Sequence, residues 1–193
     1  MSRPREFEVD RALRDAAEVF RVKGYHAASL EDLIAGTGLA KGSLYKAFHD
    51  KKSLFLGALD LYARESRDRF EESLTAPGSP VAAIRQALLG YIERARVGSG
   101  NAGCLITNTA VELGAQDDEI AAQVRASFER RVVLFEAAVR RAQAAGEIPP
   151  QKDPRVLAEF LELTVQGLRV LLKSSTDETA LRRSVDVAVS ALT

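Results

Sequence analysis

Between Leu30 and Lys52 the chain reads LEDLIAGTGLAKGSLYKAFHDKK: a short helix, a glycine turn, a second short helix and the opening of a long one. Leu30, Leu33 and Ile34 stand at i, i+3 and i+4, one apolar face of a helix. Gly36-Thr37-Gly38 then supplies two residues that tolerate positive φ and breaks that helix. The next helix, from about Ala40 to Ala47, turns Leu44 and Phe48 inward and leaves Lys41, Gly42, Ser43, Tyr45 and Lys46 on its outer side. That outer set holds ammonium groups, a hydroxyl, a phenol and no carboxylate, a chemistry suited to phosphates and base edges. Two helices around a glycine turn form a helix-turn-helix. Helical hairpins of this kind also occur away from nucleic acid, so a helical interaction module without specific DNA binding stays open as the alternative.

Charge sharpens the contrast between this segment and the whole. Lys+Arg and Asp+Glu are each 27, a net charge of zero, which argues against a protein that coats nucleic acid non-specifically. Residues 39–52 nevertheless carry four Lys, one His and one Asp. The 193 residues hold one or two domains, and 46% hydrophobic residues suffice for a core. No apolar run approaches the roughly 18 residues of a membrane span, so no membrane partner is expected. MSRPREFEVD lacks the apolar centre of a secretion signal, and a single cysteine forms no internal disulfide, so a cytoplasmic location is expected.

The whole chain reads as all-α, with nine helices and no strand. The first, about Glu6 to Lys23, is expected to bury Val9, Leu13, Ala16, Ala17 and Phe20, with Gly24 capping its end. Ser29 with Asp32 forms a capping-box-like start to the second. The fourth follows the N-cap Asp50 and runs to about Leu74, long enough to be a strut between two domains. Ser79-Pro80 opens the fifth, which runs to about Val97, and Gly98 to Asn101 form a flexible loop. The sixth covers about Gly103 to Leu113, and the seventh about Asp118 to Ala145 with Ile120, Val124, Phe128, Val132, Phe135 and Val139 on one stripe. Asp153-Pro154 opens the eighth, to about Lys173, and Ser175 with Glu178 boxes the start of the ninth. The eighth is apolar on more than one face: Val156, Phe160, Leu163, Val170 and Leu171 join Leu161, Val165 and Leu168. Such a helix must bury both sides, one in its own domain and one against a partner or its own chain. A twofold homodimer through about 153–173 and 177–192 is the reading adopted.

The run SLEDLIAGTGLAKGSLYKAFHDKKSLFLGAL, Ser29 to Leu59, resembles the N-terminal signature of the TetR family of transcriptional regulators. Gly24, Ser29, Ile34, Gly38, Lys41-Gly42-Ser43-Leu44-Tyr45, Phe48, Lys51 and Leu54-Phe55 carry the likeness with all spacings intact. The resemblance implies a helix-turn-helix DNA-binding domain over 1–50, joined by the long helix 50–74 to an effector-binding and dimerisation domain over 51–193. It implies a regulator, a repressor more often than an activator, that binds a near-palindromic operator as a dimer. Major grooves about 34–36 Å apart would take the two recognition helices. By matched position Ser29, Lys41, Gly42, Ser43, Tyr45, Lys46, His49, Lys51 and Lys52 are the candidate DNA contacts. Gly42 allows close backbone approach, Lys41 stands at a helix start where free N–H groups meet phosphate, and Lys51 matches the family's backbone-contacting lysine. Competing readings are solvated surface charge for Lys51 and Lys52 and a turn former for His49. Arg3 and Arg5 are either an arm along the DNA or a disordered tail.

The same resemblance implies a small-molecule effector that releases the DNA because the two ligands prefer different states. Inward-facing candidates are Tyr62, Phe70, Leu88, Tyr91, Leu105, Asn108, Thr109, Phe135, Thr164, Gln166 and Leu168, each of which could equally be core. Cys104 opens the sixth helix in GNAGCLITNTAVEL, where the helix dipole lowers a thiol's pKa. It reads either as a thiolate that traps electrophiles or oxidants, helped by a nearby cation such as Lys173, or as an inert buried residue. A sulfur with no cation or solvent channel nearby would exclude the first reading. Both histidines, His26 and His49, lie in the DNA-binding segment, and no catalytic triad, metal-spaced cluster or phosphate loop is present in the sequence. No enzyme activity, cofactor or metal is expected.

Overall fold

The computed structural model describes residues 3–96, 102–174 and 177–193, with side chains from residue 9 onward. Among these the secondary structure is α1(Arg3–Lys23), α2(Leu30–Thr37), α3(Lys41–Phe48), α4(Lys51–Leu74), α5(Pro80–Ala95), α6(Leu105–Leu113), α7(Asp118–Ala144), α8(Pro154–Leu171) and α9(Glu178–Ser190), with no strand. The expected all-α class and helix order are observed. The loop expected over 98–101 and the Ser175 cap lie outside the described residues, as do the side chains of Arg3 and Arg5. Asp177 caps α9 instead, accepting the Ala180 N–H.

Two compact units divide the chain: Met1–Glu65 with Cys104–Val124, and Ser66–Gly103 with Arg125–Thr193. In the first, α1 packs on α2 and α6. Ala12, Leu13, Ala16, Ala17 and Phe20 of α1 are buried with Leu33, Leu44, Leu54, Phe55 and Leu59. Phe20 and Tyr25 each stand edge-on to Phe55 at 4.9 Å, the preferred T-shaped geometry. Val9, expected in this core, is 37% exposed because burial along α1 starts a turn later, at Ala12 and Leu13.

The turn glycines do two different jobs. Gly38 takes φ +66 as the C-cap of α2 and donates its N–H to the Ile34 carbonyl. Gly36, expected to share that left-handed role, sits inside α2, where a Cβ would collide with Cγ2 of Val19. Its part is close packing of α2 on α1. At the other end of α2 the reciprocal capping box is complete: Ser29 Oγ accepts the Asp32 N–H at 3.1 Å and Asp32 Oδ2 accepts the Ser29 N–H at 2.9 Å. Lys23 Nζ also reaches Asp32 Oδ1 at 2.5 Å. The lysine first, then the two Ser29 bonds, hold the Asp32 carboxyl down at about 2 against an ordinary 3.8.

α6 belongs to this same unit and closes the α1–α2 turn from outside. Gly24 takes φ +82, and the next two peptide N–H groups, of Tyr25 and His26, both donate to the Glu112 carboxylate at 2.9 and 2.8 Å. One turn earlier on α6, Asn108 Nδ2 donates to the Arg21 carbonyl at 3.1 Å. One turn past Glu112, Gln116 Oε1 lies 3.2 Å from His26 Nε2. Asn108 and Glu112 share one face of α6, and with Gln116 in the turn beyond it they line the end of α1.

In the second unit α5 packs on α8 and α9. Its core joins Ile84, Leu88 and Ile92 of α5 to Phe135, Val139 and Ala142 of α7, Leu161 and Val165 of α8, and Leu181, Val185 and Leu192. Ser79 and Asp153 cap α5 and α8, each followed by Pro at the first helical position. The second apolar side of α8 stays outside this core: Val156, Leu163, Val170 and Leu171 are exposed, Leu163 at 71%.

Two tests follow from the first unit. The depressed Asp32 group contributes stability above pH 3.8 that is lost as pH falls toward about 2. We expect the difference in urea midpoint between wild type and Asp32→Asn to be constant at neutral pH and to shrink between about pH 4 and 2; a flat difference there would contradict this. Glu112→Gln keeps one acceptor oxygen but loses the charge on two amide bonds. It should destabilise by about 1–2 kcal/mol, read from urea denaturation at fixed protein concentration; no change would mean that water satisfies the turn equally well.

Candidate nucleic-acid interface

α3 begins at Ala40, whose side chain makes no capping bond and which has no acidic residue in the following turn. Ser43 and Leu44 N–H both return to the Ala40 carbonyl. The N–H groups of Lys41 and Gly42, ahead of them, are the positive end of this helix. Leu44 is buried at 3%, while Lys41, Gly42, Ser43, Tyr45 and Lys46 are all exposed on the outer side. No Cβ placed on Gly42 would meet another atom, so the approach to this helix start is open. Lys41 and Lys46 form no ion pair among the described residues, whereas Lys23 pairs with Asp32.

A cavity of about 260 Å³ borders this helix, lined by His26, Ala28, Ser29, Leu30, Leu33, Leu44, Tyr45 and Lys51. It brings the Ser29 hydroxyl, the Tyr45 phenol and the Lys51 ammonium to one recess. Lys51 Nζ sits 4.8 Å over the Tyr25 ring and 3.5 Å from the His26 carbonyl, half-buried. His49 is the C-cap of α3 at φ +65, its N–H bonded to the Tyr45 carbonyl. Asp50 then caps α4 by accepting the Ser53 N–H at 2.7 Å, which lowers its carboxyl pKa.

Lys52 stands in different surroundings. Asp117 and Glu119 take its ammonium at 2.7 and 3.0 Å, and their hydrogen bonds raise its pKa. Its charge is matched by two carboxylates, unlike the charges on Lys41 and Lys46. Sequence spacing carried no sign of this, because the partners lie 65 and 67 residues away.

The expected effector residues fall in both units. Within the first, Cys104 is 6% exposed and is the N-cap of α6, one residue ahead of the first helical turn where the sequence placed it. Arg21 lies near it: the Glu18 hydrogen bond chiefly raises the Arg21 pKa, and the charges of Tyr62 and Cys104 add to it. Arg21 is a cation within electrostatic reach of this thiol inside the first unit, and sequence reading missed it. Leu105 is buried at 1%, and Asn108 is committed to the Arg21 carbonyl.

Within the second unit, Phe135 is fully buried and edge-on to Phe70 at 4.9 Å. The Tyr91 hydroxyl accepts from Arg131 Nη1 at 2.6 Å, and Gln166 Nε2 donates to Glu162 Oε1 at 2.5 Å. Lys173 follows α8 and is exposed. Arg131, Glu162 and Arg169 are each only 6% exposed, and none was read from the sequence. The available signal was charge on an apolar stripe: Arg131 stands between Phe128 and Phe135, Glu162 between Ala158 and Val165, and Arg169 between Val165 and Leu172, each at a spacing of three or four.

Known proteins share this architecture. The family description "Bacterial regulatory proteins, tetR family" matches residues 12–58, and "Tetracyclin repressor-like, C-terminal domain" matches residues 80–188. The chain is 32% identical over 193 residues to the uncharacterized HTH-type transcriptional regulator YezE of Bacillus subtilis, covering 100% of both. It is 29% identical over 191 residues to the HTH-type transcriptional repressor ComR of Escherichia coli, covering 98% of this chain and 90% of that one. A cysteine-substituted form of the TetR family regulator CifR, solved with double-stranded operator DNA, superposes with a TM-score of 0.85 at 28% identity, covering 95% of this chain and 96% of the other. No helix among the described residues is long and apolar enough to cross a membrane. The chain belongs to the TetR family and is a transcriptional regulator, not an enzyme.

Proposed function

We propose that this regulator is a cytoplasmic repressor that binds a near-palindromic operator as a homodimer and leaves it when a small molecule binds. The observation that carries the reading is the outer side of α3: an uncapped helix start, free cations and no carboxylate. Residues 1–50 act as the DNA-binding domain and 51–193 as the effector-binding and dimerisation domain. Lys41 and the first α3 N–H groups meet phosphate, Gly42 lets the backbone come close, and Ser43, Tyr45 and Lys46 reach phosphate or base edges. Ser29, His49 and Lys51 flank the same edge. Lys52 joins them only by exchanging its carboxylate partners for phosphate.

The dimer is formed by the second apolar side of α8 together with α9. Leu163, Val170 and Leu171 on α8 and Val187 on α9 expose the apolar surface that such a contact buries. Several relatives are named repressors, ComR and DhaR among them, which supports repression here. An electrophile acting on Cys104 beside Arg21 is a second way to the released state.

Two variants test this. Operator binding, measured on a sequence selected from a random DNA pool, should weaken steeply with salt. Lys46→Ala should lower affinity and flatten the log–log salt slope by about 0.9 for each phosphate left unneutralised, so about 1.8 for a twofold dimer. An unchanged slope would mean that Lys46 does not meet phosphate, and failure to select any DNA would favour an interaction module. Leu163→Glu would place two carboxylates in an apolar contact. Sedimentation should show a monomer, with operator affinity down at least tenfold; a dimer of unchanged strength would move the interface elsewhere.

A further inference from the structure

The start of α4 carries two adjacent lysines in different surroundings. Lys51 lines the recess beside α3 with Ser29 and Tyr45, and its Nζ stands 3.5 Å from the His26 carbonyl. Lys52 Nζ instead lies 2.7 Å from Asp117 Oδ2 and 3.0 Å from Glu119 Oε2. The two surroundings adjoin. His26 Nε2 lies 3.2 Å from Gln116 Oε1, and the residue after Gln116 is Asp117. The carboxylates that hold Lys52 therefore stand at the border of the recess where the candidate DNA contacts gather. All of these residues belong to the first unit.

The start of α7 is held to α4 without this ion pair. Asp117 Oδ1 caps α7 by accepting the Glu119 and Ile120 N–H groups at 3.1 and 3.2 Å, a task that Asn performs equally well. One turn further along both helices, Gln123 Nε2 donates to the Leu56 carbonyl at 3.2 Å. Ile120 is fully buried, while the Glu119 side chain is mostly exposed. Exposed ion pairs add little to stability.

What the clasp changes is charge. Two carboxylates against one ammonium leave one negative charge in the clasp, next to a lysine that lines the recess. A carboxylate offers an ammonium the same anionic oxygens as a phosphate, at the same short range. Hydrogen bonds to Asp117 and then Glu119 raise the Lys52 pKa, and the Lys52 bond in turn lowers that of Asp117, so all three groups stay charged at neutral pH.

We propose that Asp117 and Glu119 set operator affinity by withholding Lys52 from the DNA. They are positioning residues that act through Lys52, an internal stand-in for phosphate. With the clasp closed Lys52 neutralises no phosphate, and each half of a twofold dimer binds with one contact fewer. Exchange of the carboxylates for phosphate adds that contact. This inference rests on the reading of the chain as an operator-binding dimer and names two residues that set how tightly it binds.

The test compares four forms of the full chain on the selected operator across a salt series: wild type, Lys52→Gln, Asp117→Asn with Glu119→Gln, and the triple variant. The carboxylate double variant should bind at least threefold tighter at low salt, with a log–log slope steeper by about 1.8 for two lysines gained per dimer. Adding Lys52→Gln should return the slope to its wild-type value, and Lys52→Gln alone should leave it unchanged. Three results would each overturn the proposal: an unchanged slope in the double variant, a steeper slope that persists without Lys52, or a shallower slope in Lys52→Gln alone. Glu119→Gln alone, which leaves the α7 cap intact, serves if the double variant does not fold and should shift the slope in the same direction. Elution of the same proteins from immobilised heparin, a polyanion without base sequence, separates the two readings. If no operator can be selected, the operator reading fails and heparin still decides the clasp. Later elution of the double variant, with Lys52→Gln mattering only in that background, supports it; an equal effect of Lys52→Gln in both backgrounds sinks it.

Discussion

Glu112 accepts the N–H groups of two consecutive residues, Tyr25 and His26, that lie 87 and 86 positions away in the chain. The turn between α1 and α2 depends on that contact. With Gly24 in the left-handed region, these amides point out of α1 and need an acceptor. A Cβ at Gly24 would come within 2.8 Å of the same carboxylate, so the glycine answers both to its own φ and to the approach of α6. The turn that Glu112 closes sets where α2 begins, and α2 carries Leu33 against α1 and Ser29 at the edge of the recess next to α3. A helix from the middle of the sequence thereby becomes part of the fold that positions the recognition helix.

Local chemistry made much of this architecture legible. Ser29 with Asp32, Ser79-Pro80, Asp153-Pro154 and Asp50 each announce a helix start within four residues of sequence, and the chain follows all of them. Gly38 announces a stop in the same way. Gly36 was misread because a glycine's reason can be distant. The atom it makes room for, Cγ2 of Val19, is on another helix. Lys52 hid its carboxylate partners for the same reason, and so did Glu112. Arg131, Glu162 and Arg169 were hidden differently. Charged residues on long helices are usually solvated, and only packing shows that these three are enclosed.

Zero net charge says little about this surface, because charge is spent unevenly over it. Lys23, Lys52 and Arg155 face carboxylates at short range, and such exposed pairs contribute about 0–1 kcal/mol each. Their value here is that they neutralise one another locally. On α3 the charge at Lys41 and Lys46 is exposed and in no ion pair among the described residues, where it can exchange counterions with a polyanion.

The release proposed above then becomes a matter of how much free energy one contact can carry between states. A ligand shifts a two-state equilibrium only by its differential affinity, and each tenfold change needs about 1.4 kcal/mol. Amide bonds to a carboxylate contribute about 1.5–3 kcal/mol each when enclosed, and less when half-exposed as at Glu112. Breaking both bonds of Glu112 would therefore supply a tenfold to hundredfold change without unfolding any helix. Asn108 lies one turn before Glu112 on α6, so a small rotation of that helix would strain both of their contacts at once. Cys104 is the cap of that helix, with its carbonyl accepting the Asn108 N–H at 2.9 Å. In the proposed electrophile response, a change at the thiol would act at the N-cap of the helix that carries Asn108 and Glu112.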